Sequence, residues 1–301
     1  MASSVSFTLE DMHQGGPQIE PVLYRIRVPA RGARDSHPGP VIRYLTAPSL
    51  PKGASYIPDF RGEFLAFEAV PAGDWNLAHL VFSDDKFKDK YVVASTETVQ
   101  LEEAVGLLDA GPVWCDKKVD AVDLLDTFYV LRDKGQVDVD EDGMPPMDIQ
   151  CMNHLAALVV PTPDGIDTTV PDVVGIWAWQ PGHAHGISNE SDIYSIIQAR
   201  DPGLAPRFLA HITDNGTRVI GFLLERVAGA REAGLEDLEK CRDALSRLHA
   251  LGIAHSGGLR KSSFLVCGGN KVLLQDFGGA FETSDKEVLS RELESLEKIL
   301  A

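Results

Sequence analysis

An α+β fold is expected from three observations. Strand-like apolar runs crowd the first third of the chain, an Asp214-Asn215-Gly216 turn signal sits between two apolar runs, and helical spacing is strongest late, at Leu235, Leu238, Cys241, Leu245 and Leu248. With 301 residues, 44% of them hydrophobic and 24% charged, the chain can bury one large core or two modest ones. Composition breaks once, at an acidic and Pro-rich stretch. The expected division is a mainly-sheet α+β module over 1–137, a linker over 138–148, and a second domain over 149–301.

Taken in order, residues before about 20 are polar, contain Gly15-Gly16-Pro17 and are expected to fray. Val22 to Val28, Val41 to Leu45 and Glu63 to Val70 read as strands, and Leu77 to Phe82 and Tyr91 to Ala94 add to them. Leu101 to Leu108 and Val119 to Leu131 have helical spacing, and no catalytic motif occurs in this half. The Asp138 to Asp142 cluster resembles a calcium loop but lacks the bidentate Glu at the right spacing, and Pro145-Pro146 would break the following helix; it reads as a solvated linker. Leu155 to Val160 and Val173 to Trp179 read as strands around a Pro161 to Gly165 turn. Pro181 to Gly186 reads as a loop, and Ser191 to Ala199 as a helix with Ile193, Ile196 and Ile197 on one face. His183 and His185 in that loop could chelate a metal only with a third ligand, and exposed histidines are the simpler reading, so no metal is expected. Phe208 to Ile212 and Val219 to Leu224 form a hairpin about Asn215-Gly216. A long helix then stops at Gly252, two short strands follow, and a charged helix runs from about Asp285 to Ala301.

The last quarter carries the chemistry-bearing motifs. The long helix delivers His255-Ser256-Gly257-Gly258-Leu259-Arg260-Lys261-Ser262-Ser263-Phe264-Leu265-Val266, and a hairpin later comes Gln275-Asp276-Phe277-Gly278. This order resembles the core of the protein-kinase-like superfamily, in which a His-x-Asp-Leu-x-x-x-Asn loop and an Asp-Phe-Gly turn follow a helix. The resemblance covers roughly the C-terminal half and implies a two-lobed domain with a shortened helical lobe, similar to compact kinase-like proteins of fungi related to small-molecule phosphotransferases. It also implies what is missing. Gly258 stands where the catalytic Asp would be and Ser263 where the metal-binding Asn would be, leaving Asp276 alone of the metal-binding set. The strand Val173 to Trp179 would carry the phosphate-gripping lysine, yet no lysine occurs between Lys134 and Lys240. Glu190, with Asp192 as the alternative, would be the glutamate that has lost this lysine. Glu225 to Gly229 would be the hinge whose backbone reads adenine. The short stretch after Gly278 leaves no room for a peptide-docking platform.

By the resemblance, Trp177 or Trp179, Glu190 or Asp192, His255, Ser256, Gly257, Gly258 and Asp276 converge between the lobes. Glu190, His255 and Asp276 are the catalytic candidates, and the Trp residues, Asp192, Ser256, Gly257 and Gly258 are the substrate-binding ones. Against this, both Trp residues can simply pack the sheet, His255 can be a strut behind the Asp-Phe-Gly turn, and Arg260 and Lys261 read as exposed loop charges. An aromatic-walled cleft with one or two titratable groups suits a cyclisation, isomerisation or elimination of a small organic, apolar molecule, with no cofactor. A non-catalytic pseudokinase that binds a protein or a second copy of the chain is the alternative, and a weak residual small-molecule phosphotransferase is the third reading. The balance of 28 basic against 45 acidic residues, a net charge of −17, argues against nucleic acid and anionic membranes. No run is long and apolar enough to span a bilayer, the start lacks a secretory signal, and Cys115, Cys151, Cys241 and Cys267 are too scattered for a zinc or dithiol motif. The expected address is cytoplasmic.

Overall fold

The computed structural model describes residues 4–13, 22–29, 39–48, 69–83, 90–134, 148–152, 154, 157–167, 169–256 and 258–301. The fold is mixed α+β, and the chain divides into two compact units, Met1–Leu107 and Leu108–Ala301.

The first unit is built on strands β1 (Ser4–Ser6), β2 (Thr8–His13), β3 (Val22–Val28), β4 (Val41–Ala47), β5 (Ala69–Pro71), β6 (Leu77–Ser83) and β7 (Lys90–Glu97), followed by the short helix α1 (Leu101–Val105). Five of them form a sheet in the order β2-β3-β4-β6-β7, and β1 pairs with β5. The expected fraying of the N-terminus is corrected here. β2 pairs antiparallel with β3 from Thr8↔Arg27 to His13↔Leu23, which satisfies its backbone groups and fixes it to the sheet. Ile26, Leu45, Val70, Trp75, Ala78 and Leu80 form the core of this unit. Trp75 donates its indole N–H to the Pro71 carbonyl at 2.9 Å and carries the Arg43 guanidinium 4.4 Å above its ring. Of the expected Glu63–Val70 strand, 63–68 lie outside the described residues.

The second unit begins with β8 (Lys118–Asp120) and α2 (Ala121–Asp133). It continues through β9 (Ala157–Pro161), β10 (Asp172–Trp177), α3 (Ala184–Arg200), β11 (Phe208–Asp214) and β12 (Arg218–Glu225) to β13 (Arg231–Glu232) and α4 (Leu238–Ala250). β14 (Ile253–Ala254), β15 (Phe264–Val266), β16 (Val272–Leu274), β17 (Phe281–Glu282) and α5 (Lys286–Leu300) complete it. Its main sheet has the order β8-β11-β12-β10-β9, antiparallel except for the β8–β11 pair. The break between units thus falls before β8, not at the expected 137/138 position. Composition misled because the acidic stretch of 138–147, which lies outside the described residues, separates α2 from β9 in sequence, while β8 and α2 pack on the sheet of the second unit. Asp120 explains part of this. Its carboxylate accepts the Val122 N–H at 3.2 Å, at the start of α2, and the Gly216 N–H at 2.8 Å, in the β11–β12 turn. The segment before β8 is bound to the same unit, through Ala110 N–H to the Val219 carbonyl at 2.9 Å and the Trp114 indole to Ser191 Oγ at 3.0 Å.

The β11–β12 turn forms as its sequence requires, with Asn215 at φ 56° and Gly216 at φ 68°, the left-handed region these residues tolerate. α3 starts seven residues before the expected Ser191, taking in His185 and Gly186, and presents Ile187, Ile193, Tyr194 and Ile197 to the sheet's Val174, Ile176, Phe222 and Leu224. Gly221 on β12 opposes Trp177 on β10 so closely that a Cβ there would meet the Ile176 carbonyl oxygen and, at 2.6 Å, Trp177 Cα. Of the expected stripe α4 buries Cys241, Leu245 and Leu248, with Ala244 beside them, and half-buries Leu238, whereas Leu235 lies ahead of the helix and is exposed. The same core receives Phe264, Leu274 and Phe277 from the short strands and the turn after them, and Leu296 and Leu300 from α5.

Candidate functional site

A cleft of about 260 Å³ opens within the second unit, lined by His154, Trp177, Ala178, Gly182, His183, Gly186, Ile187, Glu190, Asp276 and Gly278. Two carboxylates dominate it. Glu190 is placed by α3, one turn before Tyr194, and is 2% exposed. Asp276 is placed by the turn after β16, whose Phe277 is wholly buried with its ring 5.2 Å from Tyr194, edge-on, and 5.4 Å from His255. Burying this Phe draws the preceding residue to the floor of the cleft. Asp276 adopts φ 67°, a left-handed conformation that costs a β-carbon residue on the order of 1 kcal/mol and is retained when its surroundings over-determine it. Asn189 supplies much of that restraint. Its side-chain amide donates to the carbonyls of Phe277 and Gly278 at 3.2 Å and of Ala280 at 2.7 Å, tying the turn to α3.

Electrostatics separate the two acids. Burial pushes Glu190 up to about 8, reinforced by the Asp276 charge and only partly opposed by backbone N–H groups of Phe277 and Asp276. Burial also raises Asp276, to about 6, against the pull of Arg260, whose Nε is 4.0 Å from its carboxylate. His154 brings Nδ1 to 3.8 Å from Glu190, but its own burial lowers it to about 4. Both members of this pair are held neutral, since desolvation opposes charge on each. Glu190 Oε1 makes no hydrogen bond among the described residues. At neutral pH the cleft thus holds a protonated Glu190 and a largely ionised Asp276.

The other expected site residues are placed elsewhere. Trp177 borders the cleft and also lines a small apolar cavity shared with Ala121, Leu124 and Leu125 of α2, whereas Trp179 is 2% exposed and is not among the cleft-lining residues. Asp192 is exposed, because two residues along α3 from Glu190 is the opposite side of the helix. His255 is a strut: it is buried, and its Nε2 pairs with the Gln275 carbonyl at 2.8 Å. Ser256 and the exposed Gly258 are not among the cleft-lining residues, and Gly257 lies outside the described residues. Ser263 is buried with its hydroxyl accepting the Arg260 N–H at 3.2 Å, so it is committed to the loop. The strand position facing α3 holds apolar Val174, Ile176 and Ala178, and no lysine or arginine is among the residues lining the cleft. Among the described residues no group of three or more His, Cys, Asp or Glu is placed to hold a metal ion.

The segment after β12, expected to offer backbone groups to adenine, is already engaged. Gln150 is 1% exposed; its amide donates to the Glu225 carbonyl at 3.1 Å, and its Oε1 accepts the Val227 N–H at 2.6 Å. Arg226 anchors the same region to Asp148 at 3.0 Å and Asp172 at 3.1 Å, and Asp148 accepts the Gln150 N–H at 3.0 Å. A donor and an acceptor two residues apart are thus satisfied by one side-chain amide. The strand β10 carries no lysine, and this backbone pair is taken.

Sequence reasoning missed His154, Gln150 and Asn189. Gln150 lies in a single 3-10 turn, Ile149–Cys151, and His154 just beyond it, both in stretches too short for periodicity to mark an inward side chain. Asn189 had a signal, since it precedes Glu190 on a helix whose inward face was legible. No family model matches the chain, and no curated protein matches its sequence.

Proposed function

We propose that this chain has a kinase-like second unit that has given up phosphoryl transfer, and that its cleft binds a small organic molecule and assists a cyclisation, isomerisation or elimination by one proton transfer. The observation that carries this reading is the carboxylate pair, a buried acid raised to about 8 facing a carboxylate near 6 across one cleft. Environments that push two acids apart supply a proton donor and a proton acceptor at the same pH. Glu190 would donate, Asp276 would accept, and the Trp177, Ala178 and Ile187 walls would position the substrate and exclude water. Activity should then be bell-shaped in pH, with a maximum between about 6 and about 8. Gln150 supports the loss of nucleotide, because adenine would have to displace two hydrogen bonds from a buried amide. That same closure favours a non-catalytic binding protein as the second reading.

The test is a thermal-shift titration with Mg·ATP beside a panel of small organic molecules. The expected outcome is no response to Mg·ATP, and stabilisation by at least one organic ligand that is lost in Ile187→Trp, which fills the cleft. Stabilisation by Mg·ATP that disappears in Asp276→Ala would overturn the proposal. Ligand binding without turnover at any pH would leave the non-catalytic reading standing.

A further inference from the structure

We propose that the ligand of this cleft carries a protonated amine, which docks between Glu190 and Asp276 with an apolar body against Trp177 and Ile187. This assignment rests on the cleft being a small-molecule site and adds the chemical class of its occupant. Its geometric basis is an unmet acceptor: Glu190 Oε1 is buried and makes no hydrogen bond among the described residues, although its residue lines the opening. A buried acceptor without a donor is costly, and an ammonium group supplies three donors in one small head.

The surroundings select a cation. Asp276, the neutral imidazole of His154 and the phenol of Tyr194 stand around Glu190 and bring no positive charge at neutral pH, and His183 also lines the cleft. Among the described residues Arg260 forms an ion pair at this cleft; it is exposed and stands by Asp276, its Nε 4.0 Å from that carboxylate. A phosphate or carboxylate ligand would meet two acids with no lysine or arginine among the lining residues, on a protein of net charge −17. The volume of about 260 Å³ is below the range typical of drug-sized ligands, roughly 300–1,000 Å³. A single aromatic or aliphatic amine suits it better than a polyamine or a nucleotide.

Docking an ammonium beside Glu190 favours its carboxylate form, so binding an unreactive amine near pH 7 should release close to one proton, the same proton that Glu190 would hand to a reacting substrate. The probes are phenethylamine and its matched isosteres 2-phenylethanol and 3-phenylpropanoate, titrated calorimetrically into the full chain in two buffers of different ionisation enthalpy. Phenethylamine should bind at least tenfold more tightly than either isostere, with proton release. Glu190→Gln should weaken it at least tenfold and abolish the release, while Asp276→Asn should weaken it and keep the release. Circular-dichroism melting of each variant confirms folding. Should either variant fail to fold, Ile187→Trp, which leaves both acids in place, should still abolish binding. Equal or tighter binding of an isostere, or no binding of phenethylamine up to millimolar concentration, would overturn the amine assignment. In the first case the cleft remains a small-molecule site; protection by Mg·ATP with none by any isostere would overturn that reading too.

Discussion

Glu190 makes the stability of the protein depend on pH in a direction opposite to that of most carboxylates. Its folded pKa, about 8, lies above the ordinary 4.5, so over that window the folded state holds a proton that the unfolded chain has released. The native state binds more protons, and stability falls as pH rises from about 4.5 to about 8. Glu190→Gln removes this loss. The variant should match the parent near pH 4.5 and exceed it by roughly a few kcal/mol above pH 8, because each pH unit in that window is worth about 1.4 kcal/mol. Urea denaturation at several pH values measures the difference. His154 imposes the reverse slope, because its lowered pKa of about 4 means that acid between about 6.5 and about 4 protonates the unfolded chain first. At this scale the sequence was informative about identity and poor about environment. Glu190 and Asp276 were legible from motif order, and His255 could be read both as a catalyst and as the strut it is. Trp179 and Asp192 were misplaced because the choice between neighbours on a strand or helix depends on which face turns inward.

Elements hold the cleft in shape through a few non-local contacts, and two of these are testable. Glu292 of α5 accepts the backbone N–H of His255 at 3.1 Å and of Ser256 at 2.6 Å and pairs with His249 at 2.7 Å, fixing the loop on which Ser256 takes φ 91°. Burial alone would raise the Glu292 acid, but these contacts outweigh it and hold the group below the usual carboxylate range. Their contribution is therefore present above about pH 4.5 and is lost as pH falls. Glu292→Ala should cost about 1–3 kcal/mol at pH 7 and raise amide exchange at 255 and 256 before it affects the β9–β12 sheet. Gly221→Ala should be worse, since the added carbon meets backbone rather than a yielding side chain; cooperative melting should be lowered by more than for Glu292→Ala. Element types were largely legible, because the hairpin, α3 and α4 each announce themselves by turn chemistry or periodicity. The early start of α3 was not, since Gly182, His183 and Gly186 read locally as loop.

For the whole molecule, the position of the break between units yields the clearest prediction. A fragment beginning at Leu108 retains β8 against β11 and the α2 cover, whereas one beginning at 138 exposes the edge of β11 and the apolar residues Leu158 and Val160 that α2 contacts. The first should be soluble with a cooperative thermal transition, and the second should aggregate, as size-exclusion chromatography and circular dichroism would show. This boundary was hidden from the sequence because an acidic, Pro-rich stretch is as compatible with an insertion inside a domain as with a linker between two.

The β8–β11 pairing also sets an order of events during synthesis. Val119 and Thr213 meet across 94 residues of chain, so β8 and the apolar side of α2 leave the ribosome long before the strand that shelters them exists. The first unit can fold while its successor waits, and during that interval β8 and the apolar side of α2 have no sheet of their own to pack on.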